Sequence, residues 1–325
     1  MKTFVNRRVA LFILTALALA APLPARAAFP DKPLKIIVGF PPGSTGDVLA
    51  RTVGQKLGER IGQPVVVENR TGAGSNIATE AVARASADGY TLLLSTSANV
   101  INQSVTPTLK VDFLRDLVPV TLIGENPVVL IGLAATAPQT LAALVTRAKA
   151  VPDKLTYASS GNGTFTHLSG EFFKQSAGVR ITHIPYRGSG PSTTDLLAGV
   201  VDLAFSPATP VVPLIKSGQL RALAIIGKER MAALPDVPTF TEAGIAGLDS
   251  ALWFGLNAPA GTPEAVIQRL NADLQQVLKV PELKAQLDAQ GITVIGDGPA
   301  RFQQLIAREL VQWARVVKDA NIKSD

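Results

Sequence analysis

The strongest constraint on the fold is an alternation of short β-branched runs with longer amphipathic stretches. The run 35–38 precedes a helical pattern over 47–61, and the run 65–68 precedes another over 77–85. In the first of these helical patterns apolar residues recur every three or four positions, which predicts one buried face. Strands and helices that alternate in this way are typical of βαβ units around parallel strands. The sequence therefore predicts an α/β fold.

A second series of the same kind begins after Asn126-Pro127. A proline-rich connection, 234–239, separates it from a late strand at 251–256. The predicted helices of this part, several opened by proline, cover 139–150, 165–177, 192–198, 263–278, 281–290 and 299–320, and its other predicted strands cover 155–157, 181–184, 202–205 and 223–226. We expect two lobes crossed twice by the chain, with residues 28–124 plus 250–325 in one and 125–249 in the other.

The first 27 residues have the organisation of a secretory signal peptide. Three basic residues precede the apolar run Val9–Ala21, and small residues flank Arg26 in Ala25-Arg-Ala27. The run is too short to span a bilayer core of about 30 Å as a helix, which argues against the alternative of an uncleaved anchor. We expect cleavage before Ala28 and export to the periplasm of a Gram-negative cell.

Composition excludes several classes of protein. The full chain has a formal charge of +6, but residues 1–27 hold four of its 31 basic residues and no acid, so 27 basic residues face 25 acidic ones afterwards. A nearly neutral chain without basic clusters is no nucleic-acid binder. The chain has no cysteine, which rules out disulfides, thiolate metal sites and cysteine nucleophiles. Its two histidines lack neighbouring metal ligands, so we expect no metal.

Small-residue turns at strand-to-helix junctions carry the functional signal. Glycine amides and helix N-termini at the carboxyl ends of strands can hold an anion, and hydroxyl groups add donors. A single turn of this composition is more often an ordinary helix cap, and Asp47 is better explained as a cap than as a ligand partner. The four turns are 41–47, 72–76, 95–97, which contributes Ser97, and 159–164.

Nucleotide cofactors and catalysis find little support. The two glycine pairs at 72–74 and 161–163 lack the third glycine of a dinucleotide fingerprint, and no phosphate-binding loop occurs, so we expect no cofactor. A serine hydrolase remains an alternative.

The hydrolase would combine Ser160 with His167 or His183 and with Asp195 or Asp202. His183 lies within a predicted strand, where a packing role is expected. His167 lies one helical turn beyond Gly163 and could face a ligand. In the stretch after His183, Arg187 could clamp an acid or lie in solvent.

Several motifs resemble a known family in their order along the chain. The chain resembles the solute receptors of tripartite tricarboxylate transporters, also called Bug proteins. The resemblance covers the chain from residue 28 onward and rests on Phe40-Pro-Pro-Gly43, Val65-Val-Val-Glu-Asn-Arg70, Gly72-Ala-Gly74, Asp88-Gly-Tyr-Thr-Leu92, Ser159-Ser-Gly161, His183-Ile-Pro-Tyr186, Leu196-Leu-Ala-Gly-Val-Val-Asp202, Leu220-Arg-Ala-Leu-Ala224, Leu234-Pro-Asp-Val-Pro-Thr239 and Trp253-Phe-Gly-Leu256.

The resemblance implies a type II periplasmic-binding-protein fold, with two α/β lobes that close over a ligand cleft. It also implies a small carboxylate ligand held by backbone amides, hydroxyl groups and water. Asp202 is implied to lie near the same cleft. With Ser97 added from the third turn, the expected ligand-binding residues are Gly43, Ser44, Thr45, Ser75, Asn76, Ser97, Ser160, Gly161, Thr164, His167 and Asp202.

Three departures from the family pattern concern the expected pocket. Ser44 and Ser75 stand where relatives usually have glycine, and Arg187-Gly-Ser189 replaces Lys-Gly-Gly. The two serines add a Cβ and a hydroxyl, which narrows the site and makes it unsafe to transfer a relative's ligand.

We therefore expect a monomeric receptor that captures a small organic acid and catalyses no reaction. The resemblance implies membrane transporter subunits as partners, and a signalling sensor is the alternative partner. The ligand itself stays open among dicarboxylates, tricarboxylates, amino acids, aromatic acids and amides.

Overall fold

A computed structural model describes residues 29–106, 109–249, 251–289 and 291–322. Residues 32–325 cluster as one compact unit, which contains all the elements discussed below. The predicted signal peptide, residues 1–27, lies outside the described residues.

Eleven strands form two separate mixed sheets among the described residues. The six-stranded sheet has the order β11-β4-β10-β3-β1-β2, and the five-stranded sheet has the order β7-β6-β8-β5-β9. The strands are β1 Leu34–Val38, β2 Val65–Asn69, β3 Thr91–Thr96, β4 Leu117–Asn126, β5 Val128–Leu133, β6 Thr156–Ser159, β7 Thr182–Pro185, β8 Leu203–Pro207, β9 Leu220–Ile226, β10 Leu252–Pro259 and β11 Thr293–Asp297.

Helices connect most of these strands. A short 3₁₀ turn, Ala73–Ser75, precedes the second helix. The helices are α1 Thr45–Ile61, α2 Asn76–Ala83, α3 Ser97–Val105, α4 Phe113–Asp116, α5 Leu141–Ala150, α6 Phe165–Ala177, α7 Ser189–Leu197, α8 Ala208–Lys216, α9 Glu264–Val277, α10 Pro281–Ala289 and α11 Pro299–Asp319. Alternating strands and helices confirm the predicted α/β class, and the parallel pairs β1–β2, β1–β3, β6–β7 and β6–β8 confirm the βαβ interpretation.

The chain passes from the six-stranded to the five-stranded sheet at Pro127, and it returns between β9 and β10. On one side, Asn126 ends β4 at the edge where β1, β2 and β3 also end, because Leu252 pairs with Asn126 and Phe254 with Thr96. On the other side, Val128 pairs with the last residues of β8 and β9. The carboxyl ends of β1, β2 and β3 therefore lie along the edge of the six-stranded sheet that holds Asn126, and those of β6 and β8 along the edge of the five-stranded sheet that holds Val128. The predicted lobe limits, 28–124 plus 250–325 and 125–249, stay a prediction.

The buried core continues from one sheet to the other. Helix α11 packs on the six-stranded sheet, and its Trp313 meets Phe165 of α6 edge to face with 5.4 Å between ring centroids. Both tryptophan indoles, Trp253 and Trp313, donate to the buried carboxylate of Glu309, at 2.7 and 3.3 Å. Helix α11 thereby links the two sheets. Within the described residues, no helix has both the length and the apolarity that a membrane span requires.

Candidate functional site

The first turn of α1 builds one side of the site. Ser44 caps the helix, since its Oγ accepts from the amide of Asp47 at 3.3 Å. The helix begins at Thr45 rather than at the predicted Asp47, which lies inside the first turn. The amides of Thr45 and Gly46 have no acceptor within the described residues. This helix start therefore keeps two donors for an anion.

Asp47 is a buried support for the same loop. Its carboxylate accepts from the Gly43 amide at 2.9 Å and from Asn69 Nδ2 at 2.8 Å, and it pairs with Arg51 at 2.9 Å. Burial alone would raise the pKa of Asp47, but the hydrogen bonds from Arg51, Gly43 and Asn69 and the charge of Arg51 outweigh burial and lower it. Asp47 thus stays ionised and faces its own protein partners, while Ser44, and not Asp47, is the N-cap of α1.

The second loop of this edge has an unusual backbone. Four consecutive residues adopt positive φ: Gly72 at 124°, Ala73 at 47°, Gly74 at 61° and Ser75 at 79°. Glycine tolerates this region, whereas alanine and serine are strained there. The run turns the chain sharply from β2 into α2, whose N-terminus has no side-chain cap.

Asparagine side chains tie the loops of this edge together. Asn99 Nδ2 donates to Ser75 Oγ at 3.1 Å, and its Oδ1 accepts from the Thr96 amide at 2.7 Å. Asn102 Nδ2 donates to the Gly74 carbonyl at 2.6 Å and to Asn76 Oδ1 at 3.0 Å. We call the segments 39–45, 72–76 and 96–97 the first-sheet loops.

Ser97 is the clearest open donor of the first-sheet loops. It is the first residue of α3, directly after β3, and it is fully buried. Its hydroxyl makes no hydrogen bond within the described residues. A buried hydroxyl without a partner is costly unless something else satisfies it. Because β1 and β3 are neighbouring strands, the starts of α1 and α3 lie side by side.

The loop 159–164, which we call the second-sheet loop, satisfies its own donors. The amide of Ser160 donates to Thr166 Oγ1 at 2.9 Å, that of Gly161 to Ser159 Oγ at 3.1 Å, and that of Gly163 to His167 Nδ1 at 3.1 Å. Two of its hydroxyls also donate to the Gly161 carbonyl: Thr164 Oγ1 at 2.7 Å and Ser159 Oγ at 3.2 Å. These internal hydrogen bonds fix the conformation of the loop and leave few of its donors for a ligand.

Two stacked histidines lie beneath this loop. The rings of His167 and His183 are nearly parallel, at 8°, with centroids 3.9 Å apart, and His183 also stacks on Tyr157 at 4.8 Å. His183 Nε2 lies 2.7 Å from Ser159 Oγ. Burial, followed by the neighbouring His167 and Lys174, lowers the pKa of His183 to about 3, so this ring is neutral at pH 7. The expected packing role of His183 fits this position.

His167 was predicted to contact a ligand, but both of its ring nitrogens point toward protein groups. Nδ1 accepts from Gly163, and Nε2 lies 4.0 Å from Glu171 Oε1. Glu171 also accepts from Tyr157 OH at 2.7 Å and pairs with Lys174 at 2.8 Å. His167 is thus a support for the loop.

The side chains of the hydrolase alternative are not arranged as a catalytic triad. The hydroxyl of Ser160 bonds neither histidine; the serine that does so is Ser159, which is fully buried and already accepts from Gly161. A histidine with a pKa of about 3 is a weak base at pH 7, poorly suited to activate a nucleophile. Asp195 binds Tyr186 OH at 2.7 Å rather than a histidine.

The expected location of Asp202 is corrected. Its carboxylate accepts from the amide and the hydroxyl of Thr156, at 2.9 and 3.0 Å, at the beginnings of β6 and β8. Ser160 and Gly161 follow the opposite end of β6. Because β6 and β8 are parallel, Asp202 lies at the edge of the sheet remote from the second-sheet loop. It joins two strands and is not near the cleft.

The remaining predicted residues fall into two groups. Gly43, Ser44, Thr45, Ser75, Asn76 and Ser97 lie in the first-sheet loops, and Ser160, Gly161 and Thr164 lie in the second-sheet loop. The second-sheet loop packs on the C-terminal end of α3, because a Cβ on Gly163 would lie 3.3 Å from Val105. Arg187 is exposed and lies beside the second-sheet loop, whose Ser160 carbonyl accepts from Gly188 at 3.2 Å.

Sequence reasoning missed several polar residues of this region. Asn99 and Asn102 hold the first-sheet loops, and Asn126 donates to Thr209 Oγ1 at 3.1 Å across the passage between the sheets, with its Oδ1 unpaired. A polar residue before Pro127 at a strand end was the available signal. Among the described residues, no group of three or more metal-ligating side chains occurs.

Comparison with known proteins identifies the family to which the chain belongs. The family model described as "Tripartite tricarboxylate transporter family receptor" matches residues 49–322. Protein BugT of Bordetella pertussis is 39% identical over 317 residues, which cover 97% of each chain.

Solved structures extend the similarity to three dimensions. A structure described as a periplasmic transporter is 38% identical with a TM-score of 0.79 and covers 92% of this chain and 100% of its own. An R. palustris protein solved with adipate is 34% identical, with a TM-score of 0.78, and covers 91% and 99%. MatC from Rhodopseudomonas palustris with bound malate is 31% identical, with a TM-score of 0.75, and covers 89% and 100%.

Proposed function

Because the chain belongs to the tripartite tricarboxylate transporter receptor family, we propose that it is a periplasmic receptor for a small dicarboxylate. Its relatives with adipate and malate support this ligand class. The receptor passes its ligand to the membrane subunits of such a transporter and carries out no reaction. Residues 1–27 act as its cleaved signal peptide.

The observation that carries this proposal is the unpaired, fully buried hydroxyl of Ser97. In our proposal one ligand carboxylate accepts from this hydroxyl and from the amides of Thr45 and Gly46. The positive ends of the α1 and α3 dipoles stabilise the same charge. Binding then satisfies donors that the protein leaves open, which is a gain specific to the ligand-bound state.

The second-sheet loop closes over the ligand from the other side. Its internal hydrogen bonds fix its shape before binding, so little conformational entropy is lost when the ligand arrives. In our proposal Ser160 contacts the ligand, because its hydroxyl has no partner within the described residues. The exposed Arg187 lies beside it. Motion of the five-stranded sheet relative to the six-stranded sheet about Pro127 opens and closes the site.

The test is ligand binding by the protein purified from the periplasm. We expect malate or adipate to raise the melting temperature with rising ligand concentration, without being consumed. A hydrogen bond to a charged group contributes about 1.5–3 kcal/mol, so Ser97→Ala should bind its ligand roughly 10- to 100-fold more weakly by calorimetry. Its melting temperature without ligand should not fall, because the hydroxyl has no partner to lose.

Ser95→Ala is the matched control, since Ser95 is equally buried two residues earlier, in β3, but donates to Asn257 Oδ1 at 2.6 Å. We expect this control to lower stability by about 1 kcal/mol and to leave affinity unchanged. Equal affinities of Ser97→Ala and the unmodified protein would contradict the proposed site. Chemical conversion of a ligand that binds would contradict the proposal that the receptor carries out no reaction.

A further inference from the structure

The stacked histidines are the titratable cluster that ligand capture, as proposed above, leaves without a role. His167 is only 7% exposed and His183 is half-buried, and their ring nitrogens contact the second-sheet loop at Gly163 and Ser159. An imidazole pair in such a position costs free energy for desolvation of its polar atoms, which apolar side chains would avoid. The hydrogen bonds of the pair indicate what it does.

His167 accepts a hydrogen bond that only its unprotonated Nδ1 can accept. The Gly163 amide is 3.1 Å from Nδ1, so the ring proton of the neutral form lies on Nε2, toward Glu171. A second proton, on Nδ1, would place an N–H against an N–H. The contact that holds Gly163 would then be lost, and with it the shape of the loop.

His183 holds the other end of the loop. Its Nε2 lies 2.7 Å from Ser159 Oγ, which accepts from the Gly161 amide at 3.1 Å and donates to the Gly161 carbonyl at 3.2 Å. With 3.9 Å between ring centroids, charges on both rings would repel each other strongly, and a charge on His167 would also remove the acceptor for Gly163. The closed loop therefore requires a neutral His167 beside His183.

The surrounding charges offer little compensation for a protonated ring. On α6, Glu171 is already paired with Lys174, and on β6 the Tyr157 hydroxyl donates to the same carboxylate. On α11, Glu309 accepts from Trp313 and Trp253. Helix α3 and strand β8 carry no titratable residue, and β7 carries none besides His183.

We propose that His167 and His183 position the second-sheet loop for the ligand and that protonation of His167 releases it. The receptor then holds its ligand more tightly in neutral than in mildly acidic medium. This proposal rests on the proposed function, since it concerns retention of the same ligand. The direction follows from linkage: the ligand-bound form excludes a proton that the released form binds, so falling pH opposes binding.

The experiment measures affinity for malate and adipate by calorimetry at pH 7.5 and pH 5.5. A released histidine with an ordinary pKa near 6.5 predicts an affinity about two- to tenfold weaker at pH 5.5 for the unmodified protein. His167→Asn places a neutral Oδ1 where Nδ1 stood, so it keeps the acceptor for Gly163 without the titration. We expect this variant to bind normally at pH 7.5 with a smaller loss at pH 5.5. Ionisation of the ligand is common to both proteins and cancels in the comparison.

A second measurement needs no ligand. Hydrogen exchange of residues 160–164, corrected for the intrinsic pH dependence of exchange, should lose protection between pH 7.5 and 5.5 in the unmodified protein and keep it in His167→Asn. Identical pH dependence of affinity in both proteins, or unchanged loop protection in the unmodified protein, overturns this proposal. If His167→Asn does not fold, the exchange of the unmodified protein alone decides. Absence of any ligand binding at either pH refutes the proposed function instead, while exchange still tests the histidines.

Discussion

The first-sheet loops and the second-sheet loop are held by side chains of opposite electrical character. Under the first-sheet loops lies an ionised carboxylate, Asp47, held by Arg51 and by the Gly43 amide. Under the second-sheet loop lies a neutral pair of imidazoles, His167 and His183. One support keeps a charge in place by surrounding it with donors, and the other works only while it has no charge.

The first-sheet loops and the second-sheet loop also differ in the hydrogen-bond donors that they leave for a ligand. The first-sheet loops keep the Ser97 hydroxyl and the amides of Thr45 and Gly46 without partners in the described residues. The second-sheet loop uses the amides of Gly161 and Gly163 internally. The capacity to bind an anion is therefore concentrated on the six-stranded sheet, and the five-stranded sheet contributes a preformed surface.

The supports also respond to acid in different ranges. The pKa of Asp47 is lowered from 3.8, so its stabilising effect is complete above that value and is lost only as pH falls below it. The pKa of His183 is lowered from 6.5 to about 3, so the folded protein resists a proton that the unfolded chain accepts. Its effect is complete above pH 6.5 and declines steadily from there toward pH 3. Mild acid thus weakens the second-sheet loop first.

The largest expected effect comes from a negative charge on the side that binds the anion. Ser97→Asp places a carboxylate at the start of α3, where the ligand carboxylate is proposed to lie. Like charges in close contact cost several kcal/mol, and about 4 kcal/mol corresponds to roughly 1000-fold, so calorimetry should detect no binding. A thermal melt without ligand checks that the variant is folded.

Asn162→Asp is the control for Ser97→Asp, because it adds the same carboxylate at an exposed position of the second-sheet loop. Solvent screens a charge there, and we expect affinity to fall only a few-fold. If both variants abolished binding, the assignment of anion binding to the six-stranded sheet would be wrong.

A smaller effect is expected when the charged support is neutralised. Asp47→Asn keeps the shape but weakens the bonds to Gly43 and Arg51, and we expect urea unfolding at pH 7 to show a loss of about 1.5–3 kcal/mol. The difference from the unmodified protein should persist at pH 5 and shrink below pH 3.8, as Asp47 itself becomes protonated. Ligand affinity should also fall, because Gly43 is no longer held.

Asp273→Asn is the matched control for this variant. Asp273 is also a buried acid with two arginine partners, Arg60 at 2.9 Å and Arg269 at 2.6 Å, but it lies on α9 away from the loops. It should lose stability to a similar extent and keep its affinity. Equal affinities of the Asp47 and Asp273 variants would show that Asp47 supports the fold alone.

Sequence reasoning found the turns because glycine, serine and threonine at strand-to-helix junctions commonly serve either as helix caps or as ligand donors. It did not separate a cap from a ligand donor, and both occur: Ser44 caps α1, whereas Ser97 keeps its hydroxyl open. Helix α3 escaped the periodicity analysis because polar asparagines occupy its buried positions. Asn99 and Asn102 are buried to hold neighbouring loops, and such partners are distant in sequence.

Two placements considered on the sequence differ from the structure. In the hydrolase alternative Ser160 would contact a histidine, but its neighbour Ser159 has that contact, since successive residues at a strand end point to opposite sides. The resemblance implied that Asp202 lies near the cleft, but Asp202 directly precedes β8, whose far end reaches that edge. A sequence pattern identifies a strand more reliably than it fixes its direction and register, and register decides which side chains meet.

The smallest effect concerns the strained backbone of the first-sheet loops. Ser75 is buried with φ at 79°, and its Oγ accepts from Asn99. Ser75→Ala keeps the strain and loses the acceptor, which should lower the free energy of unfolding by about 1 kcal/mol. Ser75→Gly loses the same bond but relieves about 1 kcal/mol of left-handed strain, so its stability in urea should stay near that of the unmodified protein.

Gly74→Ala tests the same strain in reverse. Gly74 has φ at 61°, and a Cβ there would meet Asn102 Nδ2 at 3.0 Å, so we expect a loss of about 1–2 kcal/mol. If Ser75→Ala proves more stable than Ser75→Gly, the left-handed run is relaxed, and the serine contributes through its hydroxyl alone. If the order is as expected, the first-sheet loops store backbone strain next to their open donors, in contrast to the second-sheet loop, whose positive φ angles fall on Gly161 and Gly163.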